Sequence, residues 1–162
     1  MNSVPISIAA SVVVTERSRR TWWRRIADGT VTRLADDARG RAMLSLGEVA
    51  PFICVPLDQV DLGFLVRADA GNADAQNDIG QLFSNAGKPT VALYWLEQAA
   101  HQGHADAMQW LGRCYIGGEG VPKNRNIGLM WIAKAAAHGH IIAQAQMQDS
   151  FRIPPANGLK RI

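Results

Sequence analysis

The chain has 162 residues, 48% hydrophobic and 19% charged, which fits one compact soluble domain and leaves no room for two large ones. Its formal charge of +3 is uneven: residues 1–45 carry eight arginines against four acids and the remainder nine basic residues against ten acidic, so any attraction for polyanions belongs to the N-terminal part. Cys54 and Cys114 stand outside any C-x-x-C or Cys/His spacing; no disulfide or zinc framework is expected, and a reducing, cytoplasmic compartment is favoured.

"VPISIAASVVV" near the start is apolar, but no basic residue precedes it and "TERSRR" follows where a small-residue cleavage site would stand. It is also too short to span a bilayer. Residues 1–16 therefore read as a flexible tail or a single edge strand, with export as the alternative. Residues 17–59 form a basic segment and a linker. Five arginines in nine residues surround Trp22 and Trp23, and a second helical run follows with Val31, Leu34, Ala38, Ala42 and Leu46 near one face. "APFICVPLDQV" then reads as an irregular, proline-bounded linker. One reading of this segment is a helical cap over the apolar end of a helical stack, with the arginines solvated. The other is an electropositive, aromatic-interleaved patch of Arg17, Arg19, Arg20, Trp22, Trp23, Arg24 and Arg25 that binds nucleic acid or an anionic membrane. The cap is preferred because Asp28, Asp36 and Asp37 lie in the same region.

Residues 60–150 repeat themselves. "GNADAQNDIGQLF" (71–83) aligns with "GHADAMQWLGRCY" (103–115) at an offset of 32, and "ALYWLEQAAHQGH" (92–104) with "GLMWIAKAAAHGH" (128–140) at an offset of 36. The four extra residues fall in "IGGEGVPKNRN", a variable connector inside a repeating unit. Such a period marks a solenoid of helical hairpins. Repeats at about 71–102 and 103–138 are expected, with partial repeats on either side and a C-terminal tail at 151–162. Ala107, Leu111 and Tyr115 share one helical face, as do Leu129, Ile132, Ala135 and Ala136. Gly80 and Gly112 imply close helix approach, while Gly103 and Gly139 fall where left-handed C-caps are needed.

Residues Ala105, Ala107, Leu111, Gly112, Tyr115, Gly118, Gly120, Val121, Trp131, Ala135, Ala136 and Gly139 carry a pattern that resembles the Sel-one-like repeat proteins, relatives of the tetratricopeptide repeats. The first copy departs from it with Ile79 and Phe83 and lacks the glycine loop. The resemblance implies an all-α, right-handed superhelix, a bacterial source and a surface for other proteins; by itself it implies no catalysis. A protein or peptide partner is expected on the positions between the pattern residues: Asn77, Asp78 and Gln81 in one first helix, and Gln109, Trp110 and Arg113 in the next. Trp110 is singled out because its counterpart is Asp78.

The remaining candidates read as structural. Gly118-Glu119-Gly120-Val121-Pro122-Lys123 has neither Walker nor dinucleotide spacing, and Glu119 opposes phosphate; the glycines serve the turn, with Asn124 as an N-cap. His104 and His140 are equivalent positions too far apart to share one ion, so no metal or cofactor is expected. No nucleophile elbow, H-E-x-x-H or paired-carboxylate motif appears, and the protein reads as a noncatalytic adaptor or scaffold. Toxin immunity is an alternative role, as is the hydrolase chemistry linked to some members of the family.

Overall fold

The computed structural model describes residues 3–150. Strand β1 (Pro5–Ser7) runs into α1 (Ile8–Thr15), whose N-terminus is capped by Ser7 Oγ accepting the Ala10 N–H at 3.1 Å. Glu16, in the left-handed region at φ 53°, ends α1, and Ser18 caps α2 (Arg19–Ala27). Strands β2 (Arg33–Leu34) and β3 (Met43–Ser45) join β1 in an antiparallel sheet of order β1-β3-β2, with Ile6 opposite Leu44 and Leu44 opposite Arg33. A short helix α3 (Leu46–Val49) and a 3-10 turn (Ala50–Phe52) complete this unit.

Two expectations are corrected here. Residues 5–15 are not a free tail, because Ile6, Ile8, Ala10 and Val14 are wholly buried in the core. Nor do residues 31–46 form a helix. Thr30, Val31 and Thr32 are β-branched and favour extended backbone. The Asp37 carboxylate then accepts the N–H groups of Arg39 and Arg41 at 3.0 and 2.8 Å, a turn that competes with helix. The apparent 3.6 period of Val31, Leu34, Ala38 and Ala42 was coincidental.

The rest is helical. α4 (Gln59–Asp69) opens with a reciprocal capping box between Asp58 and Asp61. The hairpins α5 (Ala73–Asn85) with α6 (Pro89–His101) and α7 (Ala105–Gly117) with α8 (Arg125–Ala137) follow, and α9 (Ile141–Ser150) packs on α8. This is the all-α repeat superhelix expected, with a small sheet added at its N-terminal end. Close crossing within each hairpin depends on glycine. A Cβ at Gly80 would meet Leu96 Cγ at 2.7 Å; one at Gly112 would lie 2.5 Å from Ile132 Cγ1 and 2.9 Å from the Gly128 carbonyl.

The long loop between α7 and α8 does more than connect. Gly118 caps α7 at φ 78°, and Gly120, at φ 72°, lies so close to the preceding hairpin that a Cβ would meet Pro89 C at 2.9 Å. The extra residues thus brace α7–α8 against α6.

Successive repeats share their caps. Asn72 Oδ1 accepts the Ala75 N–H at 2.8 Å, and at the equivalent positions His104 Nδ1 accepts from Ala107 at 3.3 Å and His140 Nδ1 from Ala143 at 3.1 Å. An accepting Nδ1 places the neutral imidazole's proton on Nε2. That nitrogen faces an acid of the preceding repeat: Asp74 at 3.3 Å from His104, Asp106 at 3.2 Å from His140.

The N-terminal unit is tied to this stack by polar groups. The buried Asp69 at the end of α4 accepts the Ser7 N–H at 2.7 Å and its hydroxyl at 2.6 Å, and pairs with Arg41 Nη1 at 2.8 Å. Arg41 Nε also donates to Asp37 at 2.7 Å, and Lys88 pairs with Glu16 at 2.6 Å. Around these ties one apolar cluster runs from Ile6 and Trp22 through Leu65 and Trp95 to Ala143.

Candidate interaction surfaces

The six positions expected to face outward on α5 and α7 divide into two groups. Asp78 and Arg113 are exposed, while Gln81 and Trp110 are half-buried. Asn77 and Gln109 are buried instead, at 4% and 6% exposure, and leave the proposed surface. A first helix in a stack has a second inward face, turned toward its neighbours along the array. Gln109 Nε2 accordingly donates to Gln146 Oε1 of α9 at 2.9 Å. Trp110 packs its inner edge on the core, and the Arg113 guanidinium lies 4.8 Å from its ring centre. The C-terminal tail expected at 151–162 lies outside the described residues.

The arginine cluster is also divided. Trp22 has no exposed surface and meets Phe52 edge-on with ring centres 6.0 Å apart. The Arg17 and Arg25 guanidiniums lie over Phe52 at 4.9 and 4.3 Å. These three residues build the unit's interior and its rim. Arg19, Arg20 and Arg24 are exposed with Trp23, which is 43% accessible. None of the five arginines forms an ion pair with a carboxylate among the described residues. Asp28, just past α2, is held below the usual carboxylate range mainly by hydrogen bonds from Thr30, with smaller contributions from Arg25 and Arg24.

Elsewhere the side chains serve the fold. Asn124 caps α8 through the Ile127 N–H at 3.1 Å, and Gly103 and Gly139 take positive φ at the helix ends. His101 and His138 each place Nδ1 beside the carbonyl four residues back, at 2.6 and 2.9 Å. No cluster of three metal-ligating side chains occurs among the described residues. Burial pushes the Cys114 thiol up to about 11 and raises that of Cys54 as well, the opposite of what a reactive thiolate needs. A cavity of about 650 Å³ lies between α1 and α6, floored by Val12, Val13, Val91, Leu93 and Tyr94; another of about 580 Å³ lies between α3 and α4. Neither is lined by histidine or cysteine. No helix among the described residues is long and apolar enough to cross a membrane.

Antiparallel hairpins closed by glycine and linked cap to acid along a stack define an α/α repeat protein. The family model for the Sel1 repeat matches residues 73–104 and 105–140, so the two hairpins α5–α6 and α7–α8 are similar to Sel1 repeats. Its curated relatives include chitin synthase regulatory factor 4 of Schizosaccharomyces pombe, 43% identical over 60 residues covering 35% of this chain and 9% of the relative. Chitin synthase regulatory factor 3 of the same yeast is 31% identical over 96 residues, 55% of this chain and 10% of the relative. Among solved structures, a Sel1 repeat protein from Oxalobacter formigenes aligns with a TM-score of 0.50 and 31% identity, over 54% of this chain and 36% of its own. A protective antigen from uropathogenic Escherichia coli displaying an SLR fold aligns with a TM-score of 0.53 and 25% identity, over 88% of this chain and 32% of its own. The chain thus spans about a tenth of these curated relatives and about a third of these solved ones. Sel1 repeats are generally noncatalytic modules of protein interaction.

Proposed function

We propose that this protein is a noncatalytic, cytoplasmic adaptor that binds a protein or peptide partner on the outer face of its repeats. The observation that carries this reading is Trp110. The corresponding position in the preceding repeat is Asp78, so the repeat itself requires no aromatic there, yet Trp110 sits at the surface with the Arg113 guanidinium over its ring at 4.8 Å. Tryptophan beside arginine is a composition enriched at the energetic centres of interfaces. Asp78 and Gln81 extend the face along α5. The regulatory-factor names of the two yeast relatives favour a binding role over a catalytic one.

Cross-linking in the native host followed by mass spectrometry supplies the partner. Because Arg113 is exposed, Arg113→Ala is expected to leave the melting temperature unchanged and weaken that partner's affinity by about 2 kcal/mol. Trp110→Ala is expected to lower both affinity and stability, since its inner edge packs on the core. Unchanged affinity of the folded Arg113→Ala and Trp110→Ala proteins would remove this face from the binding site.

A further inference from the structure

The exposed face of α2 has no structural use that its composition explains. Arg19, Arg20, Trp23 and Arg24 share one side of the helix, Trp23 and Arg24 following at spacings of four and five from Arg19 and of three and four from Arg20, while Trp22 on the opposite side fixes that orientation by its burial against Phe52. Three exposed guanidiniums therefore share a side with a partly exposed indole, and none forms an ion pair with a carboxylate among the described residues. The position of two of them opposes folding, whereas Arg24 lies in the last turn, where the dipole favours a cation. Arg19 and Arg20 occupy the first turn of α2, where the helix dipole is positive and the first turn carries no acid. A chain that places charge against its own helix end at that point gains from an anion that settles there.

We propose that this face of α2 is a second docking surface, and that its occupant is a short acidic segment of a partner protein. Size decides between polyanions. A helix of nine residues is about 13 Å long, and three free guanidiniums match a few carboxylates. A duplex-binding site neutralises about six to ten phosphates, and the basic excess of this chain is confined to residues 1–45. A membrane-surface helix needs a broad apolar face, whereas α2 turns Trp22 inward and leaves only Trp23 to insert. In the docked state the Arg19, Arg20 and Arg24 guanidiniums donate to the segment's carboxylates, and Trp23 covers the apolar stems of the same residues. The surface shares no residue with the Trp110 face, so the two readings fail independently.

Fluorescence anisotropy with a labelled hexaglutamate peptide tests the proposal, with hexaglutamine, a short oligothymidylate and phosphatidylserine vesicles measured alongside. At low salt, hexaglutamate is expected to bind about tenfold tighter than hexaglutamine, and to weaken as salt rises. The combined Arg19→Ala, Arg20→Ala and Arg24→Ala substitutions are expected to abolish that preference without lowering the melting temperature, and Trp23→Ala to weaken binding several-fold. The charge-reversed variant Arg19→Glu, Arg20→Glu, Arg24→Glu is expected to exchange hexaglutamate for hexalysine while keeping a cooperative thermal melt. Equal binding of the two uncharged-to-charged analogues, an undiminished preference in the alanine variant, or tighter binding of the oligonucleotide or the vesicles would each overturn it.

Discussion

In the hairpins, the contacts that decide the structure lie between near neighbours in sequence, Gly80 against Leu96 and Gly112 against Ile132. The N-terminal unit is held to the stack by polar ties between distant residues: Ser7 to Asp69, 62 positions apart, and Lys88 to Glu16, 72 positions apart. Short-range apolar closure recurs with every repeat and imposes a period on the sequence. Long-range polar ties that occur once impose none, and the buried one, at Asp69, gathers the Ser7 and Arg41 contacts of the N-terminal unit on one carboxylate.

The sharpest way to break that contrast is to remove the anchor. Asp69→Ala leaves the Ser7 N–H and hydroxyl without their acceptor and Arg41 with one carboxylate instead of two. A loss of about 3 kcal/mol in urea unfolding followed by circular dichroism is expected. A loss under about 1 kcal/mol would mean that apolar packing, rather than the anchor, attaches the unit.

The hairpins can be set against each other in the same assay. A methyl group at Gly112 meets both Ile132 and the backbone carbonyl of Gly128, whereas one at Gly80 meets chiefly the Leu96 side chain. Gly112→Ala is expected to cost about 2 kcal/mol and Gly80→Ala about 1 kcal/mol. Equal losses would show that the two helix pairs cross at the same distance.

The smallest effect expected is a dependence on pH. Burial raises the Cys114 thiol from 9.0 to about 11, so between those values the unfolded chain loses the proton while the folded one keeps it. Stability therefore falls as pH rises through the window, by about 1 kcal/mol or less at pH 10. Thermal melts from pH 8 to 11 should show a shallower decline in Cys114→Ala, and parallel declines would place the titrating group elsewhere.

The hairpins were legible because glycine, alanine and tryptophan mark helix closure at fixed offsets, and because Gly103, Gly139 and Asn124 fall at helix ends. The outward set on α5 and α7 was legible only in part. Helical spacing identifies the face turned to a helix's own partner, but not the one turned to neighbours along the stack, which takes Asn77 and Gln109. In the N-terminal unit the strands are two or three residues long, too short for alternation to be distinguished from chance. Trp22 and Trp23 are adjacent and chemically identical. Only the placement of Phe52, some thirty residues on, decides which of the two is core.

The shared caps have a bearing on how such an array could be cut and rejoined. His104 completes its contacts on Asp74 and His140 on Asp106, so the transferable unit is out of phase with the hairpin. A hairpin excised at its own helix ends takes a histidine away from its acid. A graft therefore needs the acid two residues beyond the upstream cap and the histidine at the downstream one. Asn72, an amide with no ring nitrogen left to reach back, caps α5 without calling on an acid upstream and is suited to open a series.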